Sequence, residues 1–279
     1  MLQTSLTPLE RGVLLSPPEP EIALAQLKFE EVELIPQQIL LSEGMPMNYI
    51  YLIQHGLVSL LRSMQDGATV EVGVVGRNGF AGVEIALGSH TSRFEGVVQI
   101  GGSALRIRAR TFRDELVRSR VLQSHLRHCA YDLLVQISRT AACNARHTIK
   151  RRLASWILKA RDRTGEDVLP ISHELLSTIL GTRRAGITVA LGKLKSAGLI
   201  SNDFGQIAIL DGGGLEAVAC QCYGLMQGDV RQMLAVGTAP TDVEKNLTID
   251  PGYLSPIAHE ILHPSALWPG SETHDESRR

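Results

Sequence analysis

The feature that most constrains the fold is a change in hydrophobic period near Thr111. Upstream, from about Val32 to Ile107, short β-rich runs recur between glycines. They include Tyr49-Ile50-Tyr51-Leu52-Ile53, Leu57-Val58-Ser59-Leu60-Leu61, Thr69 to Val74 and Gly96 to Ile100, separated by Gly44, His55-Gly56, Asp66-Gly67 and Arg77-Asn78-Gly79. Such spacing predicts an all-β barrel or sandwich. Asp66-Gly67 is a hairpin signal, because a primed turn needs residues that tolerate positive φ. Gly73, Gly76, Gly79 and Gly82 do not match a dinucleotide loop and read as turns.

Downstream the spacing becomes helical. Leu122, Leu126, Cys129, Leu133, Thr140 and Cys143 form one apolar stripe, and Ala130, Leu134, Ile137 and Ala141 form another. One long helix from Phe112 to Asn144 is expected. A barrel covers one of its faces, and a parallel copy of the helix is the simplest cover for the other. Burial of both faces within one subunit is the alternative. A second helix, His147 to Arg163, sets Ile149, Leu153, Trp156, Ile157 and Ala160 against a basic face of Lys150, Arg151, Arg152, Lys159 and Arg161, and Gly165 stops it.

Residues 171–198 then read as helix, tight turn, helix. Ser172 caps His173 to Leu180, Gly181 turns, and Thr182 caps Arg183 to Ala197. Ile187, Ala190, Leu191 and Leu194 face inward, while Arg184, Ala185, Thr188, Gly192 and Lys195 face outward. A hairpin over residues 200–210 completes a winged helix-turn-helix, whose second helix is a candidate reader of the major groove.

Charge supports a polyanion partner. The chain carries net −1, but this sums −6 over residues 1–105, +12 over 106–195 and −7 over 196–279. A basic stretch of this size suits phosphates, where each Lys or Arg releases condensed counterions. No apolar run is long enough for a membrane span, and no basic-then-apolar leader is visible, so a cytoplasmic chain with no membrane partner is expected.

The barrel strand and Gly turn of residues 49–58, the long helix, and the run from Ile171-Ser172-His173-Glu174-Leu175-Leu176 through Leu180-Gly181-Thr182-Arg183-Arg184 to Leu194 and Gly198-Leu199-Ile200 occur in that order. Together they resemble the Crp/Fnr superfamily of bacterial transcription regulators. The resemblance implies an α+β chain. An antiparallel, jelly-roll, cyclic-nucleotide-binding-like barrel spans 20–111, a dimerisation helix 112–146, and a winged helix-turn-helix 147–227. Residues 228–279, rich in Pro, Gly, Thr, Ser and acids, are expected to be a disordered tail. It also implies a homodimer on a two-fold symmetric operator in double-stranded DNA, with RNA polymerase as a further partner. Ser172, His173 and Thr182 match phosphate-contacting positions, and Arg184 matches a base-reading arginine. Arg183, Thr188 and Lys195 complete the expected DNA face. Leu122, Leu126, Cys129, Leu133, Ile137 and Thr140 are assigned to the dimer seam. Ala185 and Val189 replace a glutamate and an arginine common in the family, so the operator is expected to differ.

The effector cassette also departs from the family. Gly82 is present, but Val83 stands at the ribose-binding glutamate position, with Glu84 beside it, and Phe94 follows Arg93 where a hydroxyl residue belongs. Without those partners an anion is desolvated and poorly repaid, so cyclic AMP binding is not expected. Iron–sulfur members carry cysteines before or at the barrel, and residues 1–128 contain none. Cys129 and Cys143 read as small buried hydrophobes, with a thiol switch across the seam as the alternative. Cys220-Gln221-Cys222 lacks two further ligands nearby in sequence, so no metal is expected. His259-Glu260-Ile261-Leu262-His263 matches a zinc-hydrolase motif, but Pro256 and Pro264 bracket it and no cleft-forming chain follows. No catalytic residues and no cofactor are expected. A DNA-binding regulator is the leading reading. The alternative is an effector-binding module that regulates a partner protein, with the helix-turn-helix as a packing platform.

Overall fold

The computed structural model describes residues 23–203 and 205–223, which all fall in one compact unit. The segment 228–279, with its H-E-x-x-H motif, lies outside the described residues.

The N-terminal part is a six-stranded antiparallel sheet of β1 (Glu30–Leu34), β2 (Ile39–Leu41), β3 (Tyr49–Ser63), β4 (Thr69–Val75), β5 (Phe80–Ala81) and β6 (Glu95–Arg108). The order is β1-β6-β3-β4, with β2 on β6 and β5 on β3. This is the expected jelly-roll-like sheet, but its ladder does not close into a barrel. Two readings of glycine need correction. His55-Gly56 does not separate two strands, because β3 runs through it. The β3–β6 register slips three times between Ile53 and Val58. There the backbones approach so closely that a Cβ on Gly56 would lie 2.5 Å from the Ile100 carbonyl oxygen, and one on Gly102 2.3 Å from that of His55. Glycine therefore bends a continuous strand here. Gly73 is likewise no turn: it sits inside β4, where a Cβ would stand 3.0 Å from Gln136 Oε1 and Leu133 Cδ1. The hairpin at Asp66-Gly67 is present, with Gly67 at φ 83° and Asp66 Oδ1 accepting the Ala68 N–H at 3.0 Å.

The expected single helix is two. Helix α1 (Ala109–Arg118) ends at Ser119, whose extended backbone breaks the helix and whose hydroxyl accepts the Leu122 N–H at 3.2 Å, capping α2 (Arg120–Arg146). Phe112 and Leu116 of α1 and Leu122, Leu126 and Ala130 of α2 join the core of the sheet. The assignment of Leu122 and Leu126 to a dimer seam is thereby corrected. They are 1% and 0% exposed within one subunit, and Cys129 and Leu133 pack against the same core. The α2 face left outside carries Tyr131 and Leu134, 49% and 61% exposed, followed by Ser138, Ala141 and Ala145.

Helix α3 (Ile149–Thr164) ends as expected at Gly165, φ 79°. Its two-faced reading is corrected. Leu153 to Leu158 are buried without a break, and Leu57, Val74 and Ile100 of the sheet join Trp156 and Ile157 in a second core. Of the basic residues of α3, Arg151 stays exposed, while Arg152 and Arg161 are half-buried and engaged within the domain. Arg152 donates to the Leu180 carbonyl, and Arg161 pairs with Asp162 and Glu216 at 3.2 Å each. β7 (Val168–Leu169), helices α4 (His173–Ile179) and α5 (Arg184–Ser196), the hairpin β8 (Ile200–Asp203) and β9 (Gln206–Ile209), and α6 (Gly212–Val218) close this core. Among the described residues no helix is long and apolar enough to cross a membrane.

Candidate nucleic-acid interface

The helix-turn-helix is assembled from local signals. Ser172 caps α4, its hydroxyl accepting the Leu175 N–H at 3.2 Å. Gly181 takes φ 55° in the turn, a conformation that disfavours a side chain. Thr182 does not cap α5, as the sequence suggested. The helix starts one residue later, with Arg183 at the N-cap and no side-chain cap bond. Ile187, Ala190, Leu191 and Leu194 are buried at helical spacing, as expected. The opposite face of α5 presents Arg183, Arg184, Ala185, Thr188, Val189, Gly192 and Lys193 to solvent. Two arginines thus stand at the helix N-terminus, where a recognition helix meets bases and phosphates.

Three of the expected contact residues are engaged within the domain. His173 Nδ1 is 3.2 Å from Thr188 Oγ1, and Asn202 Nδ2 is 2.7 Å from His173 Nε2. With the amide donating to Nε2, Nδ1 carries the proton and donates to Thr188, whose hydroxyl in turn donates to the Arg184 carbonyl at 3.1 Å. His173 therefore links wing, α4 and α5, a role sequence reasoning missed because Asn202 is 29 positions away. Lys195 Nζ pairs with Asp203 Oδ1 of the wing at 2.9 Å. Arg183, Arg184 and Lys193 are the other exposed cations of the reader.

The cassette of the sheet domain is a tight apolar turn. Gly82 has φ 94° and opens a 3-10 turn over Val83–Leu87, in which Val83, Glu84 and Ile85 are buried. The buried Ser92 hydroxyl lies 3.0 Å from Glu84 Oε1 and 2.9 Å from the Phe94 carbonyl. Phe94 packs on the core and Arg93 is exposed. The Ser92–Glu84 contact joins the two cassette segments, with the carboxylate and hydroxyl turned toward each other.

Between sheet and α3 lies a buried carboxylate that sequence reasoning also missed. Glu71 of β4 accepts from Trp156 Nε1 at 2.8 Å and from the Ser59 hydroxyl. Burial pushes its pKa up to about 7, against the pull of Ser59, Lys159, Trp156 and Arg163. Gln136 of α2 brackets the neighbouring Val74, accepting its N–H at 2.5 Å and donating to its carbonyl at 3.2 Å.

The cysteine readings divide. Cys129 is a packed apolar thiol whose pKa burial raises to about 12. Cys143 is not simply a hydrophobe: its Sγ lies 3.3 Å from that of Cys220. The further ligands that Cys220-Gln221-Cys222 lacked in sequence are supplied in space by Cys143 and His147.

Comparison with known proteins agrees with this architecture. Residues 31–119 match the cyclic nucleotide-binding domain, and residues 151–218 match the Crp-like helix-turn-helix domain. The chain is 26% identical over 184 residues to the transcriptional regulator SdrP of Thermus thermophilus, covering 62% of this chain and 85% of that one. Among solved structures, FixK2 from Bradyrhizobium japonicum superposes with a TM-score of 0.61 at 17% identity, covering 70% of this chain and 98% of that one. A CRP-family transcriptional regulator from Thermus thermophilus gives 0.57 at 16% identity, covering 67% and 96%.

Proposed function

The chain belongs to the Crp/Fnr family of DNA-binding transcription regulators, and from that premise we propose that it acts as a homodimer on two-fold symmetric duplex DNA, reading each half-site with α5. The observation that carries this reading is the outward row of Arg183, Arg184, Thr188 and Lys193 on a helix whose other face is wholly buried. A helix serving as a packing platform for a protein partner would present apolar residues there, and Val189 alone is large, apolar and exposed. Arg184 has the reach and planar fork for bidentate contact with guanine, and Arg183 for phosphate. The dimer seam falls on the Tyr131, Leu134, Ser138, Ala141 and Ala145 face of α2, whose three- and four-residue spacing suits a parallel pair of helices. His173 steadies the outward face of the reader through Thr188, Ser172 caps the helix before it, and Thr182 and Lys195 flank it.

The sheet domain is proposed not to take cyclic AMP. Val83 cannot accept from a ribose hydroxyl, the Glu84 carboxylate is buried on Ser92, and Phe94 fills space that an anion would need. Calorimetry at sub-millimolar cyclic AMP should show no saturable heat, whereas a low-micromolar dissociation constant would reject this part of the reading. The DNA reading is tested by anisotropy titration of duplex DNA over a range of salt. Several phosphate contacts should give a steep fall in affinity with log salt. A flat dependence would favour a protein partner instead.

A further inference from the structure

Cys143, His147, Cys220 and Cys222 place their four ligand atoms within 4.8 Å of one another. The residues come from two distant segments. Cys143 lies in the last turn of α2, and His147, its C-cap residue, follows four positions on, so both fall on one face of the helix end. Cys220 and Cys222 follow α6, in a turn closed by the Tyr223 N–H on the Cys220 carbonyl at 3.0 Å. Cys143 Sγ is 3.3 Å from Cys220 Sγ, and Cys222 Sγ is 3.7 Å from His147 Nδ1. Ligands held about 2.0–2.3 Å from a tetrahedral zinc ion stand roughly 3.5–3.8 Å apart, close to these separations. A disulfide needs about 2.05 Å.

The surroundings suit a thiolate-rich cation site. The Cys220 N–H donates to Ser155 Oγ at 3.1 Å, which leaves the Ser155 hydroxyl proton for Cys220 Sγ, 3.0 Å away. This is an outer-shell donor to a ligand sulfur. Lys159 lines the same small cavity, and its positive charge offsets the net negative charge that three thiolates and a histidine leave around a divalent ion.

We propose that Cys143, His147, Cys220 and Cys222 bind one zinc ion in a closed, four-coordinate structural site. Binding displaces thiol protons and transfers no electron. It ties the end of α2 to the segment after α6 across 77 positions of sequence, fastening the winged domain to the helix that precedes it.

The test uses the full chain, purified anaerobically under reducing conditions and assayed for metal by mass spectrometry. One zinc per chain is expected. Cys222→Ser and His147→Ala should each lower zinc retention at least tenfold after dialysis against a chelator, with the far-ultraviolet dichroism unchanged. Should a variant fail to fold, cobalt substitution of the unaltered chain keeps the question open to measurement. It should give the intense ligand-field bands of a tetrahedral ion and a thiolate charge-transfer band. Four free thiols with only trace zinc and no uptake, a Cys143–Cys220 disulfide in place of metal, iron with inorganic sulfide, or zinc retained in both variants would each overturn the proposal.

Discussion

At the residue scale, three side chains carry the account. Arg184 stands exposed in the first turn of α5. Replacing it with alanine should cost about 1–3 kcal/mol at a specific site and little on unrelated sequence, measured by competition binding. An equal loss on all sequences would make it a phosphate clamp. His173 acts through others: both ring nitrogens are used, by Thr188 and Asn202. His173→Ala should lower affinity and thermal stability together, whereas Arg184→Ala lowers affinity alone. Glu71 is the pH-sensitive member. Its folded pKa of about 7 lies above the unfolded value of about 4.3, so its contribution to stability is fully present below the unfolded value and is lost as pH rises through 7. Glu71→Gln removes that loss. The melting temperature of the variant relative to the parent should therefore rise between about pH 5 and pH 8. A constant difference would show that Glu71 stays ionised in the folded chain. The exposed place of Arg184 after the turn was legible in sequence because it is local, whereas the bonds of His173 and Glu71 were not. The partners of His173 lie 15 and 29 positions away and those of Glu71 12 and 85, and they leave no periodic trace.

At the scale of elements, what was legible followed the same division. The Ser172 cap, the Gly165 stop and the Asp66-Gly67 hairpin are short-range, and each stands where the sequence put it. The break at Ser119 was missed because one serine inside a helical pattern looks like any solvated position. Glycine was ambiguous in strands, where the same residue marks a turn or a bend, and only the close approach of Gly56 to Ile100 decides. Periodicity showed that α2 has two apolar faces but not which one the sheet covers. The covered face is that of Leu122 and Leu126, which leaves Leu134 outside. Leu134→Asp should then shift the chain to monomer in sedimentation equilibrium, because it places like charges opposite one another across the seam. Leu126→Ala should instead destabilise the fold by about 2–5 kcal/mol in denaturant without a primary effect on assembly.

At the scale of the whole molecule, charge is redistributed relative to the sequence reading. The +12 of residues 106–195 is not one DNA-facing field, since Arg152 bonds inward, Arg161 is paired with Asp162 and Glu216, and Lys159 and Arg163 lie near buried Glu71. The outward remainder is divided: Arg183, Arg184, Lys193 and Lys195 are exposed at α5, while Arg108, Arg110, Arg118, Arg120, Arg127, Arg146 and Arg151 are exposed before it. In the proposed dimer, two copies present two such readers to DNA with two-fold symmetry. Selection of bound duplexes from a random pool tests it most directly. The expected product is an inverted repeat whose half-site centres are separated by about one helical turn, lost when Arg184 is replaced by alanine. Enrichment of a single asymmetric site, or no enrichment at all, would contradict it.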